Sequence, residues 1–195
     1  MKLVLATRNP GKVAEMQALL QGLPVTVLTV ADFPDAPEVE EDAPTLEGNA
    51  RKKAAALHVH TGLPALADDT GLEVPVLGGR PGVHSARYAG LDGDAAANRA
   101  KLLREIAAFD HPAARFRTVA AFADEHGIAC FEGICEGHLR HEERGTGGFG
   151  YDALFVPAGE TRTFAELDQE AKNALSHRGH ALRAFARFLG RKSEV

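Results

Sequence analysis

The stretch Gly145-Thr146-Gly147-Gly148-Phe149-Gly150-Tyr151-Asp152 sets four glycines beside two aromatics and a carboxylate. Glycine lets a backbone turn through φ > 0 and pass close to a ligand. Phe149 or Tyr151 can stack on a flat polar ring, and Asp152 can accept a hydrogen bond from a ring N–H. A plain turn between two strands is the competing reading.

Three further clusters carry charge. Thr7-Arg8-Asn9-Pro10-Gly11-Lys12 leaves an apolar run and opens a helical pattern. Exposed N–H groups at a helix start favour an anion, and Lys12 adds charge. The spacing is not that of a P-loop, and a capped strand-to-helix turn is the alternative. Asp68-Asp69 ends a short apolar run. Adjacent carboxylates there need relief, from a divalent cation or from nearby N–H groups. Mg²⁺ takes one or two carboxylates with water and phosphate oxygens, and Glu40-Glu41 could supply another acid. An acidic turn closed by Asp69 toward Gly71 is the alternative. Lys172 with Ser176-His177-Arg178 offers donors for carbonyl or phosphate oxygens, or else a helix cap with surface charge.

The elements that must position these groups follow from periodicity. Lys2 to Thr7 reads as a buried strand, residues 13–20 as a helix, and Val25 to Val30 as a second strand, a parallel β-loop-α-β opening. Residues 31–44 are rich in proline and acids and predict a long loop. Thr45 is placed to cap a helix whose Leu46, Ala50, Ala54 and Leu57 share a face. Pro64 to Ala67 predicts a strand that runs into Asp68-Asp69, with Leu72 to Leu77 as more strand. Asp94 to Phe109 predicts an amphipathic helix with Leu102, Leu103, Ile106 and Phe109 as its apolar set. Ala114 to Asp124 and Ile128 to Leu139 predict a hairpin at His126-Gly127, and Ala153 to Val156 a further strand. Thr163 and Glu166 have capping-box spacing, and Leu182, Phe185 and Leu189 form the stripe of a final helix.

Composition narrows the function classes. The chain has 195 residues, 45% of them hydrophobic and 25% charged, which suits one domain, or two lobes sharing a core; the element order makes it α/β, and no separable linker is readable. A net charge of -5 implies no general affinity for nucleic acid. No leader and no membrane-length apolar run is readable, so a cytoplasmic protein is expected. Cys130 and Cys135 read as buried free thiols. The pairs His58/His60 and His138/His141 lack zinc-ligand partners, and no G-x-S-x-G elbow supports a serine hydrolase.

Taken together, the motifs resemble the inosine/xanthosine triphosphate pyrophosphatase family, house-cleaning enzymes that remove deaminated purine nucleotides. The matching pieces are Leu5 to Lys12, Ala67 to Leu72, Gly79 to Tyr88, Gly145 to Asp152 and Lys172 to Gly179, in the family's order across nearly the whole chain. The resemblance implies a long, mixed, twisted sheet with helices on both sides and two lobes flanking a central active-site cleft. It also implies a homodimer and Mg²⁺-dependent cleavage of ITP, dITP or XTP to the monophosphate and pyrophosphate. By position, Thr7, Arg8, Asn9, Pro10, Gly11 and Lys12 match the triphosphate loop. Asp69 matches the proton-accepting, metal-binding carboxylate, and Glu41 or its neighbour Glu40 the second metal acid. Thr70 matches a substrate-contacting hydroxyl often filled by Ser. Phe149, Gly150, Tyr151 and Asp152 match the base loop, and Lys172, His177 and Arg178 the remaining nucleotide contacts.

Hypoxanthine and xanthine carry an acceptor oxygen where adenine carries an amino group. Arg178 or a backbone N–H facing that oxygen would discriminate between them, while Lys12 and Lys172 would stabilise phosphate charge. Competing readings are a broader-specificity nucleoside triphosphate pyrophosphatase and a nucleotide-sensing module without turnover.

Overall fold

The structure, a computed structural model, describes residues 1–90 and 93–192. Strand β1 (Lys2–Leu5) leads into helix α1 (Pro10–Leu20). Pro10 suits the first helical position, where a missing N–H costs nothing and φ is already near helical. Strand β2 (Thr26–Thr29) pairs parallel with β1, Lys2 opposite Thr26, which is the expected opening unit. Helix α2 (Leu46–Thr61) starts where predicted: the Thr45 hydroxyl accepts the Gly48 N–H at 3.0 Å. Leu46, Ala50, Ala54 and Leu57 are all buried.

Strand β3 (Ala65–Glu73) corrects one expectation. Asp68 and Asp69 do not end a strand at an acidic turn but lie inside a continuous one. Successive strand side chains point to opposite faces, so the two carboxylates meet different surroundings. The expected strand over Leu72 to Leu77 stops at Glu73. Pro75, with no N–H for a ladder, opens a 3-10 turn over Pro75–Leu77 instead. Strand β4 (Pro81–Gly82) returns antiparallel to β3.

Helix α3 (Ala95–Ile106) is capped by Asp94, which accepts the Ala97 N–H at 2.9 Å. Leu102 and Ile106 are buried, but Phe109 falls beyond the helix and is exposed. Strands β5 (Ala113–Asp124) and β6 (Gly127–Leu139) form the hairpin, with Gly127 at φ 120. Strand β7 (Phe155–Pro157) pairs antiparallel with β6. Thr163 and Glu166 close a 3-10 turn, followed by α4 (Gln169–Leu175) and α5 (His177–Lys192). The sheet is mixed, with strand order β2-β1-β3-β5-β6-β7 and β4 beside β3.

The chain divides into two compact units. One comprises Met1–Asp69, Thr118–Gly133 and Arg178–Val195; the other comprises Thr70–Arg117 and Ile134–His177. The first packs Leu3, Leu5, Met16, Leu66, Phe122 and Phe185 into its core. The second packs Leu72, Leu102, Phe116, Phe155 and Phe164. Among the described residues no helix is long and apolar enough to cross a membrane.

Candidate active site

In the first unit the turn between β1 and α1 is closed by its own side chains. Asn9 caps α1 by accepting the Lys12 N–H at 3.2 Å, and Thr7 Oγ1 accepts the Asn9 N–H at 3.2 Å. Arg8 donates to the Ala36 carbonyl at 3.0 Å and so holds the acidic loop. Pro10 and Gly11 shape the first turn of α1. From this motif Lys12 reaches β3, with Nζ 3.1 Å from Asp68 Oδ1.

The adjacent carboxylates differ sharply. Asp68 is fully buried between cations: Lys12 on Oδ1, and Arg178 on Oδ2 through Nε at 3.0 Å and Nη2 at 2.9 Å. Burial alone would raise its carboxyl, but Lys12, Arg178 and Lys53 hold it well below the usual carboxylate range. Asp69 faces α2. Asn49 donates to its Oδ2 at 3.1 Å, and Lys53 Nζ stands 3.6 Å from its Oδ1. Burial, helped by the Glu41 charge, pushes Asp69 above the ordinary value despite Lys53 and Lys12. Two carboxyls whose environments separate their acidities can take separate roles. Asp68 is a permanent anion that gathers cations, while Asp69 is the more basic and better proton acceptor.

Lys53 Nζ lies 2.6 Å from Glu41 Oε1 and 2.7 Å from the Asp68 carbonyl. Burial disfavours its charge, yet Asp69, Glu41 and Asp68 together raise its pKa. Lys12 goes the other way: burial lowers its pKa more than Asp68 raises it. Two carboxylates, Glu41 and Asp69, thus converge on one cationic centre, a donor set that suits Mg²⁺ completed by water and phosphate oxygens. Among the described residues no group of three or more His, Cys, Asp or Glu gathers as a metal cage. Glu40 is exposed and contributes its backbone carbonyl to Lys52 at 3.0 Å. Glu41 is therefore the acid that this cluster holds.

The second unit builds the glycine-rich loop around Asp152. Its Oδ2 accepts the Phe149 N–H at 2.8 Å and the Lys172 ammonium at 2.6 Å, and both charged side chains are almost wholly buried. Gly148, at φ +69, leaves room for that carboxylate: a Cβ there would collide with Asp152 Oδ2. The Gly150 carbonyl accepts from Arg99 at 3.0 Å. Tyr151 is buried, and its hydroxyl donates to the Ser85 carbonyl at 2.8 Å. Phe149 is half-buried, with Lys172 Nζ 5.2 Å from its ring centre. Of the two aromatics proposed for stacking, Phe149 is the one with an accessible ring.

Lys12, Glu41, Asp69 and Arg178 therefore share the first unit; Thr70, Phe149 to Asp152, Lys172 and His177 belong to the second. Three expectations shift. Arg178 is 1% exposed and ion-paired to Asp68 and Glu15, which redirects it from a base contact to holding Asp68. Lys172 braces Asp152 rather than presenting an exposed cation. His177 is buried and stacks on Phe116, with ring centres 4.6 Å apart. Thr70, half-buried, follows Asp69 along β3.

Asn49, Lys53, Glu15 and Ser85 escaped the sequence reading. A usable signal existed for two of them. Asn49 and Lys53, four residues apart, interleave with Ala50, Ala54 and Leu57, so polar groups border a buried helical face.

The Ham1 family model matches residues 3–188. A dITP/XTP pyrophosphatase of Geobacter sulfurreducens is 51% identical, covering 97% of this chain and 96% of the relative. A dITP/XTP pyrophosphatase of Streptomyces coelicolor is also 51% identical, covering 94% of each. The solved structure of a HAM1 protein from Coxiella burnetii superposes with a TM-score of 0.87 at 41% identity, over 98% of this chain and 99% of that one. With one family model spanning nearly the whole sequence and half-identical relatives of matching length, the chain belongs to the Ham1 family.

Proposed function

We propose that this chain hydrolyses deaminated purine nucleoside triphosphates (ITP, dITP and XTP) to the monophosphate and pyrophosphate, with Mg²⁺ as cofactor. The observation that supports this most is the division between Asp68, a fixed anion, and Asp69, a raised carboxyl beside Lys53 and Glu41. The dITP/XTP pyrophosphatases at about half identity support the substrate class.

Asp69 takes the proton from a water as its oxygen bonds to the α-phosphorus. The α–β bridging P–O bond breaks, and pyrophosphate leaves with the bridging oxygen. A carboxyl raised above its ordinary value is a stronger base than an ordinary carboxylate. Glu41 and Asp69 would hold Mg²⁺, which when bound neutralises charge and polarises phosphate oxygens. Lys12, kept beside β3 by Asp68, stabilises charge on the phosphates. Phe149 stacks on the base. With Arg178 engaged elsewhere, a loop backbone N–H is the donor for the ring oxygen, and adenine, with an amino group there, leaves it unpaired. A homodimer, which the resemblance implies, and a cytoplasmic location belong to the same reading.

Purified protein with ITP and Mg²⁺ should yield IMP and pyrophosphate in equal amounts. Release of orthophosphate and IDP would overturn the assigned bond. Equal turnover of ATP, GTP and ITP would overturn the selectivity.

A further inference from the structure

Asn49 is fully buried, and both ends of its amide are used. Its Oδ1 accepts the Ala43 N–H at 3.0 Å, and its Nδ2 donates to Asp69 Oδ2 at 3.1 Å. These partners dictate the amide's orientation, because an N–H needs an acceptor and a carboxylate needs a donor. Ala43 lies two residues after Glu41 in the irregular acidic loop. Gly48 permits the loop's close approach to α2: a Cβ there would meet Ala43 Cβ at 2.7 Å. The helix below is firm, capped by Thr45 and buried along Leu46, Ala50 and Ala54. Further ties on the acidic loop run from Arg8 to Ala36, from Lys52 to Glu40 and Asp42, and from Lys53 to Glu41, and each of them reaches the loop through a long, charged side chain.

We infer that Asn49 is a positioning residue that bridges the Glu41-bearing loop to Asp69 and sets the two acids in one fixed relation. A carboxylate without such a donor rotates about its Cβ–Cγ bond. Held at Oδ2 by Asn49, Asp69 turns Oδ1 toward Lys53, the same centre that Glu41 Oε1 addresses. An apolar side chain at position 49 would leave the part-buried Ala43 N–H and a buried carboxylate oxygen each short of a partner and would loosen the loop beside Glu41. The inference rests on the reading of Glu41 and Asp69 as the acids that hold Mg²⁺.

The test compares Asn49→Leu and Asn49→Asp with the wild type. The second keeps an acceptor for Ala43 and loses the donor to Asp69, and it stands in should the first not fold. Both should bind Mg²⁺ about 10–100-fold more weakly in calorimetry of the protein alone, and kcat for ITP should fall by a similar factor. KM for ITP should change by less than about threefold, because the base and phosphate contacts remain. In the Asp69→Asn background, Asn49→Leu should add little further loss of Mg²⁺ affinity. Unchanged Mg²⁺ affinity and kcat, or losses that add in full, would overturn the proposal. The side-chain amide resonance of Asn49 separates this from the enzyme assignment. It should move in Asp69→Asn whether or not ITP is hydrolysed, and an unmoved resonance overturns the bridge by itself.

Discussion

The two clusters, one in each unit, are built by different means. Around β3 in the first unit side-chain charge dominates: Lys12 pairs with Asp68, Arg178 pairs with Asp68 and Glu15, and Lys53 pairs with Glu41 and Asp69 and donates to the Asp68 carbonyl. Around Gly145 to Asp152 in the second unit, backbone shape does. There one buried pair, Lys172 with Asp152, braces a loop whose glycines accept close packing and positive φ. Phosphates carry fixed charge and call for charge in return. A purine ring is flat and neutral, and is better met by a stacked ring and oriented N–H groups.

The comparison can be broken most severely at Asp69. Asp69→Asn keeps shape and removes the base, so kcat should fall by roughly 10²–10⁴-fold, the usual worth of a general base. Thermal stability should hold. Near-wild-type turnover would remove Asp69 from the chemistry.

Asp68→Asn should do the opposite kind of damage. It strands buried Arg178 and Lys12, so stability should fall by about 3–5 kcal/mol in denaturant melts. A variant as stable as the wild type would show that the cations have other adequate partners. The pH dependence should separate the same neighbours. Asp68 titrates below its unfolded value of 3.8, so its stabilisation is present above that pH and is lost as pH falls beneath it. Asp69 titrates above 3.8, so its ionised form costs stability above the unfolded value, and that cost is relieved as it protonates. Acid melts of the two Asn variants should therefore bend in opposite directions from the wild type.

Gly148→Ala tests the backbone half. A non-glycine residue at this φ costs on the order of 1–3 kcal/mol, and the new Cβ displaces Asp152 from Phe149 and Lys172. KM for ITP should rise about tenfold, equivalent to 1.4 kcal/mol, with a smaller change in kcat. A larger loss in kcat than in KM would tie the loop to the reacting phosphate instead of the base. The smallest effect lies away from both clusters, at His138. Burial, His111 and Arg140 lower its pKa from 6.5. The unfolded chain then takes up the proton first, and stability declines as pH falls through 6.5 toward the folded value. His138→Gln should flatten that slope slightly, read as a melting temperature that varies less between pH 7 and pH 5.

Some of this was legible residue by residue. Thr45 and the Thr163/Glu166 box announced their turns, because a cap bonds within three residues of itself. The β1-turn-α1 motif and the glycine loop were visible for the same reason. The fate of Arg178 was not: its partners lie 110 residues away at Asp68 and 163 away at Glu15. Spacing also could not show that Asp68-Asp69 sits within a strand, since a short apolar run broken by acids reads equally as a strand end.

By itself the sequence determined the α/β class, the start of α2 at Thr45 and the residue types available for phosphate and base. Those depend on periodicity and on contacts a few positions long. Only the tertiary structure decided that Asp68 is a cation-bound anchor and Asp69 a raised carboxyl. A strand turns neighbouring side chains to opposite faces, and acidity follows from what packs on each face.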